Sequence, residues 1–368
     1  MKLAIVHDYL NQYGGAERLI EALHELYPEA PVYTSIYFPE NLPAAFKGMD
    51  VKTSFMQALP GIKKHFKKYF LLYPRAFSSF NLAGYDVILS SSTAYAKGVK
   101  IPQGALHICY CNTPARFIWR YDQYMEKEEL GKLSKVLIKV LAGSLKEWDV
   151  GTAQKVDYFI ANSENVRKRI REAYKRESEV IYPPIETGRF PIAKDTGDYF
   201  LVVSRLNAYK RIDLVVEAFN DLRLPLRIIG DGPYRKNLQA LIKGRNIQLL
   251  GRVDEKALLD NYAHCRALIF PGEEDFGITP LEAQSCGRPV IAYAAGGALE
   301  TIQDGISGIF FKQQTERSLM EAIKRFQEIE PTFNSQDIRS CALCFDQGLF
   351  KRQIHAFILE KYQQHRRQ

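Results

Sequence analysis

Short apolar runs alternate with segments of helical period along the chain. In the first half, residues 2–7, 87–89, 106–111, 158–161 and 179–181 read as strands. In the second half, 199–203, 226–229, 247–250, 267–270, 309–311 and a run opening at Val290 read the same way. Runs this short and this uniformly apolar, with helical stretches between them, predict a parallel sheet covered on both faces. Residues 16–26 place Leu19, Ile20, Leu23 and Leu26 on one helical face, and 130–148 and 212–222 continue the helical pattern. From about Glu316 onward the chain reads as helical, ending in 350–365. The fold class is therefore α/β, doubly wound. Pro183 and Pro184 hold the stretch around 182–191 extended. The expected division is a first domain at 1–185, a linker at 186–197, a second domain at 198–349 and a closing helix at 350–368.

The chain is organised around Phe270-Pro-Gly-Glu-Glu-Asp-Phe-Gly-Ile-Thr-Pro-Leu-Glu282. A strand ends there, an acidic loop with glycines follows, and a helix is expected to open at Pro280 and stop at Gly287. Thr279 is the expected N-cap, with Pro280 at the first helical position. Such a turn aims free amides and a positive helix end above the sheet, which favours an anion, most naturally a phosphate. Glu274 and Glu282 flank the turn and could reach hydroxyls beside that phosphate. Equally, Thr279-x-x-Glu282 reads as a capping box that needs no ligand.

Two further stretches carry candidate chemistry, and two polar sites read as structural. Gly14-Gly15 sits between a strand and a helix, as a phosphate-binding turn or simply a tight one. Arg205 and Lys210 stand five apart across a strand-to-helix turn, where both side chains can converge on one anion. Asn162-Ser163 reads as a cap of the basic helix after it, and His107 as a packed core histidine.

Composition narrows the class without naming a reaction. The 368 residues, 46% hydrophobic and 12% aromatic, suit two globular domains with sizeable cores. No run reaches the ~18 apolar residues of a membrane span. The opening residues read as a strand rather than a leader, so the expected location is cytoplasmic. The six cysteines lack paired zinc-ligand spacing and read as reduced thiols. Of the net +8, +6 falls within residues 1–185, and no acid occurs from Val51 to Tyr85. That interval mixes Lys63, Lys64, Lys67 and Lys68 with aromatic and leucine residues. It reads as a basic helix on an anionic membrane surface or, equally, as a solvated face over a normal core. No nucleic-acid-binding motif is present, so nucleic acid is not an expected partner.

Glu274-x7-Glu282 followed by Ala283-x-x-Cys286-Gly287-x-Pro289-Val290 resembles the signature of GT-B glycosyltransferases of family 4, retaining enzymes that use nucleotide-sugar donors. Gly14-Gly15-Ala-Glu-Arg18 resembles their donor-side glycine loop, and Arg205-x4-Lys210 their diphosphate clamp. Gly230-Asp-Gly232 and Gly251-Arg-Val253 resemble their nucleotide-side turns. Asn112-Thr-Pro-Ala-Arg-Phe-Ile-Trp119 resembles a motif of bacterial polysaccharide glycosyltransferases in which histidine stands where this chain has Asn112. Asparagine keeps the hydrogen bonds but cannot exchange a proton near neutral pH.

The resemblance covers most of the chain and is closest to bacterial mannosyltransferases that build O-antigen or exopolysaccharide. It implies two Rossmann-like domains facing across a cleft, with the last helix crossing back to the first. It implies a hexose moved with retention from a nucleotide diphosphate, GDP-mannose on resemblance, to a sugar hydroxyl on a lipid-linked precursor. Glu274 would hold donor-sugar hydroxyls and Glu282 the ribose. Arg205 and Lys210 would stabilise the departing diphosphate with the amides of Gly277, Ile278 and Thr279 and the Gly14-Gly15 loop. Arg252 and Val253 would lie beside the base and Asn112 near the sugar. No cofactor is implied, and no metal, because no Asp-x-Asp occurs. Open alternatives are a UDP-sugar donor, a sugar-nucleotide epimerase or phosphorylase on a similar fold, and a catalytically silent nucleotide-sugar-binding protein.

Overall fold

The structure, a computed structural model, describes residues 1–119 and 132–367, with side chains from residue 143 onward in the helix that opens at Lys132. These residues form two compact units. One comprises the described residues up to Pro184 together with the final helix from Gln347. The other is Ile185–Asp346.

The first unit is built on seven parallel strands: β1 (Leu3–His7), β2 (Val32–Thr34), β3 (Val51–Thr53), β4 (Val87–Ser92), β5 (Leu106–Cys111), β6 (Tyr158–Ala161) and β7 (Ser178–Val180). They lie in the order β3-β2-β1-β4-β5-β6-β7, so the winding reverses between β1 and β4. Every residue of β1, β4 and β5 is buried, as expected of strands covered by helices on both faces. Helix Gly15–Leu26 buries Leu19, Ile20, Ala22 and Leu23 against this sheet. The last helix, Gln347–His365, adds Phe350, Ile354, Phe357 and Ile358 to the same core. Each such side chain contributes about 1.5–3 kcal/mol on burial.

The first half differs from expectation in two places. Strands β2 and β3 carry three residues each, Val-Tyr-Thr and Val-Lys-Thr, too short to stand out as apolar runs. The basic interval is not one amphipathic helix. It begins with β3, then breaks into the short turns Phe55–Ala58, Ile62–His65, Phe66–Tyr69 and Tyr73–Ser78. Gly61 is left-handed at φ 63°, and Pro60 and Pro74 supply no backbone N–H. The expected helix at 130–148 is seen as Lys132–Ala153, with its first two expected residues outside the described ones. His107 is buried, its Nε2 2.9 Å from Ser90 Oγ. Burial, then the nearby Lys97 ammonium, pushes its pKa down to about 3, so it stays neutral. All six cysteines are free thiols.

The second unit has six parallel strands: β8 (Phe200–Val203), β9 (Leu226–Ile229), β10 (Ile247–Gly251), β11 (Leu268–Phe270), β12 (Val290–Tyr293) and β13 (Gly308–Phe311). Their order is β10-β9-β8-β11-β12-β13, reversing between β8 and β11. The residues leading into β8 are tied to this unit by two arginines. Arg339 donates to the carbonyls of Thr187, Phe190 and Ser285, and buried Arg288 to those of Ala263 and Asp195. Among the described residues, no helix is long and apolar enough to cross a membrane.

Candidate functional site

Where the second sheet reverses, the loops leaving β8 and β11 part, and parallel α/β sheets bind ligands at such points. One ion pair spans this point. Lys210, from the loop after β8, donates from Nζ to Oε1 of Glu274, from the loop after β11. Lys210 Nζ also lies 5.3 Å over the Tyr209 ring. The Glu274 peptide is held in turn by the loop after β12. Gly297 N donates to Glu274 O at 2.9 Å. Gly296 is left-handed, and a Cβ there would stand 2.2 Å from that same oxygen.

The helix after Glu274 starts earlier than expected. Gly277, at φ 91°, is the N-cap, and the helix runs Ile278–Ser285. Thr279 is therefore inside the first turn and caps nothing, while Pro280 is the third helical residue. The cause is the left-handed backbone at Gly277, which turns the chain straight into the helix and which only glycine adopts freely. A consequence follows for the amides. Those of Gly277, Ile278 and Thr279 have no acceptor within the helix, and Pro280 has no N–H to add. Three donors and the positive helix end thus gather at a helix start that follows, three residues on, from Glu274, the partner of Lys210.

Without the capping box, Glu282 needs another account. It is 2% exposed, and its Oε2 accepts a hydrogen bond from the Tyr262 hydroxyl at 2.6 Å. A carboxylate so deeply buried costs stability unless donors satisfy it, and Tyr262, itself fully buried, is one. The helix start and Lys210 can receive an anion, and the carboxylates of Glu274 and Glu282 can accept hydrogen bonds from hydroxyl groups.

The remaining candidates lie around these elements. Arg205 is exposed where β8 ends. Arg252 is exposed and Val253 partly buried after β10, two strands from β8 and hence about 10 Å away across the sheet. In the first unit, Gly14 is the N-cap and Gly15 the first residue of helix Gly15–Leu26. Asn112 follows β5; its Nδ2 donates to Ser91 Oγ at 3.1 Å, and its carbonyl accepts from Asn162 Nδ2 at 2.9 Å. Ser163 caps helix Glu164–Tyr174 by accepting from Val166 N. Sequence reasoning passed over Tyr262, which is 20 residues from its partner, and the bracing role of Gly296-Gly297. The run of small residues Ala294-Ala-Gly-Gly297 after a strand was the available signal.

Residues 185–338 match the family model Glycosyl transferases group 1. Over 197 residues the chain is 26% identical to O-antigen chain mannosyltransferase C of Escherichia coli, covering 49% of this chain and 53% of that one. Over 272 residues it is 25% identical to α-1,3/1,6-mannosyltransferase ALG2 of Dictyostelium discoideum, covering 61% and 63%. The chain thus spans about half to just under two thirds of these relatives' length. The crystal structure of HepE from Anabaena in complex with UDP is similar with a TM-score of 0.72 at 17% identity, covering 98% of this chain and 100% of that one. At that identity the likeness is one of fold, and it bears out the expected GT-B class of two Rossmann-like α/β units. The group 1 match contains Arg205, Lys210, Glu274 and Glu282.

Proposed function

We propose that the chain is a retaining, metal-independent family 4 glycosyltransferase. It moves a hexose, mannose from GDP-mannose, to a sugar hydroxyl of a growing lipid-linked polysaccharide precursor. The observation that carries this reading is the Lys210–Glu274 pair, followed in the same loop by a helix start whose amides at Gly277, Ile278 and Thr279 have no acceptor within the helix. The group 1 match over the same residues supports it, and the two mannosyltransferase relatives favour mannose.

In the proposed reaction the bond between C1 of the sugar and the β-phosphate oxygen breaks, and its electron pair leaves with the diphosphate. Arg205, Lys210 and the amides take up that charge without a metal. The acceptor oxygen bonds C1 on the same face through an oxocarbenium-like state, and its proton passes to the departing phosphate. Glu274 accepts from sugar hydroxyls and Glu282 from the ribose; Arg252 and Val253 flank the base. Gly14, Gly15 and Asn112 are assigned to the same donor by resemblance alone. The two glutamates hold donor and do not serve as a glycosidase acid/base pair.

The location proposed is the cytoplasmic face of a membrane. Lys63, Lys64, Lys67, Lys68, Phe55 and Leu71 are exposed in the acid-free interval, as a peripheral contact with anionic lipid requires. Neutralising the four lysines should abolish salt-sensitive binding to phosphatidylglycerol vesicles; unchanged binding would remove this part of the proposal.

Calorimetric titration with GDP, UDP, ADP and dTDP tests the donor site. Clear binding of GDP, weakened in Glu282→Ala and Lys210→Ala, is expected. Preference for UDP would transfer the reading to a UDP-sugar donor. Donor turnover without acceptor would favour an epimerase, and silence toward all four a protein without this activity.

A further inference from the structure

Lys210 and Glu274 stand on two loops that a third loop ties together. Arg211, the residue after Lys210, is left-handed at φ 57° and ψ 35° and is the N-cap of helix Ile212–Leu222. Among the described residues, three other than glycine take a positive φ. Lys175 and Arg223 end helices, where a left-handed residue is routine. Arg211 opens one, and there such a backbone persists only where its neighbours impose it. Its own side chain supplies the anchor. Arg211 Nη1 donates to Gln314 Oε1 at 3.1 Å, and its Nε lies 3.4 Å from Oδ2 of Asp213 in the first helical turn.

Gln314 has a second hold. It lies in the loop after β13, and its Nε2 donates at 2.8 Å to the carbonyl of Pro271, one residue past the end of β11. The amide can face only one way here. A guanidinium only donates and a carbonyl only accepts, so Oε1 must meet Arg211 and Nε2 must meet Pro271. One side chain thus clips the loop that bears Lys210 to the loop that bears Glu274. The same two loops touch directly at Gly272, where a Cβ would stand 3.1 Å from Lys210 O and 3.3 Å from its Cα. Arg211 and Gln314 are both half-buried, so water competes with their bonds less than it would on an open surface.

We propose that Arg211 and Gln314 are positioning residues that hold Lys210 in place for a diphosphate. The inference rests on the glycosyltransferase reading above. The left-handed corner sets the direction in which the Lys210 side chain leaves the backbone, and the Gln314 clip fixes that corner to the loop of Glu274. A lysine on a free corner has to be ordered each time a diphosphate binds, and that ordering lowers affinity.

Calorimetry with GDP, or with UDP if that is the diphosphate bound, compares the wild type with Gln314→Met and Arg211→Gly. Gln314→Met keeps the length of the side chain and the charge of the protein while removing both bonds. Arg211→Gly takes the left-handed corner without strain, so its melting profile should stay close to that of the wild type despite the lost contacts. Both variants are expected to bind the diphosphate about three- to tenfold more weakly, the scale of ordering one long side chain. With melting preserved, a merely structural role would leave affinity alone. Wild-type affinity in either variant would overturn the inference. In Gln314→Met it would mean that Arg211 acts through its charge, and in Arg211→Gly that the corner needs no anchor. If Gln314→Met does not fold, Gln314→Ala takes its place. A folded wild type that binds no diphosphate would overturn the function itself, an outcome distinguishable from these.

Discussion

The ammonium of Lys210 and the carboxylate of Glu274 neutralise each other across the reversal of the second sheet, one from the β8 side and one from the β11 side. Without ligand, the cation proposed for the diphosphate is therefore engaged by the carboxylate proposed for the sugar. A diphosphate arriving alone must compete with Glu274. A nucleotide sugar gives both groups a partner, since its hydroxyls can satisfy the carboxylate as its phosphates draw Lys210 away.

Opposite effects follow for two substitutions in this pair. Lys210→Ala should weaken GDP binding about 10- to 100-fold, the scale of a charge-assisted hydrogen bond. Glu274→Gln removes a nearby negative charge and should tighten GDP alone several-fold, while lowering turnover of GDP-mannose at least about 100-fold. Calorimetry and initial rates check both. Weaker GDP binding in Glu274→Gln would mean that the pair does not compete with the diphosphate.

Tyr262→Phe deletes the hydroxyl that donates to Glu282 and leaves a buried carboxylate one donor short. A cost of about 1–3 kcal/mol to stability is expected. Because Glu282 is proposed to hold the ribose, the donor KM should rise about tenfold with kcat less affected. Thermal melting and steady-state kinetics read the two effects separately. An unchanged KM would make Tyr262 a purely structural partner.

Much of this site was legible because the elements that bear it are local. The runs ending at Val203 and Phe270, the Arg205–Lys210 spacing and the Glu274–Glu282 spacing are all patterns within a few residues. Strands β5, β6 and β9 fall where the apolar runs predicted them. What escaped depends on approach in space. Tyr262 meets Glu282, and His7 meets Ser91, only because helices and strands far apart in sequence pack together. The helix start was misplaced because Thr279-x-x-Glu282 satisfies the capping pattern, while the left-handed turn at Gly277 settles the geometry two residues earlier. Strands β2 and β3 are defined by pairing, β2 with β1 and β3 with β2, rather than by their own three residues.

Gly296→Ala should separate activity from folding. The added Cβ would stand 2.2 Å from Glu274 O, and the left-handed φ of 61° adds strain of about 1–3 kcal/mol. The loop carrying Glu274 must shift, whereas the sheet beneath it need not. A soluble protein with a melting temperature lowered by a few degrees and turnover reduced at least about 100-fold is the expected result, because small misplacements of a binding group are costly to rate. Wild-type turnover would show that the loop accommodates the methyl group without moving Glu274.

His107 sets part of the acid limit of the fold. Its folded pKa of about 3 lies below its ordinary 6.5, chiefly because burial disfavours the charged ring. The unfolded chain therefore binds a proton near pH 6 that the folded one refuses. The sign follows: stability is full above about pH 6.5 and declines as pH falls from there toward 3. The loss is about 1.4 kcal/mol per pH unit, or about 2 kcal/mol at pH 5. His107→Gln keeps a hydrogen-bonding group near Ser90 Oγ but does not titrate. Urea unfolding at pH 7 and pH 5 should show the wild type losing about 2 kcal/mol more than the variant over that interval. Parallel losses would mean that the ring takes up its proton in the folded state, against the burial that surrounds it.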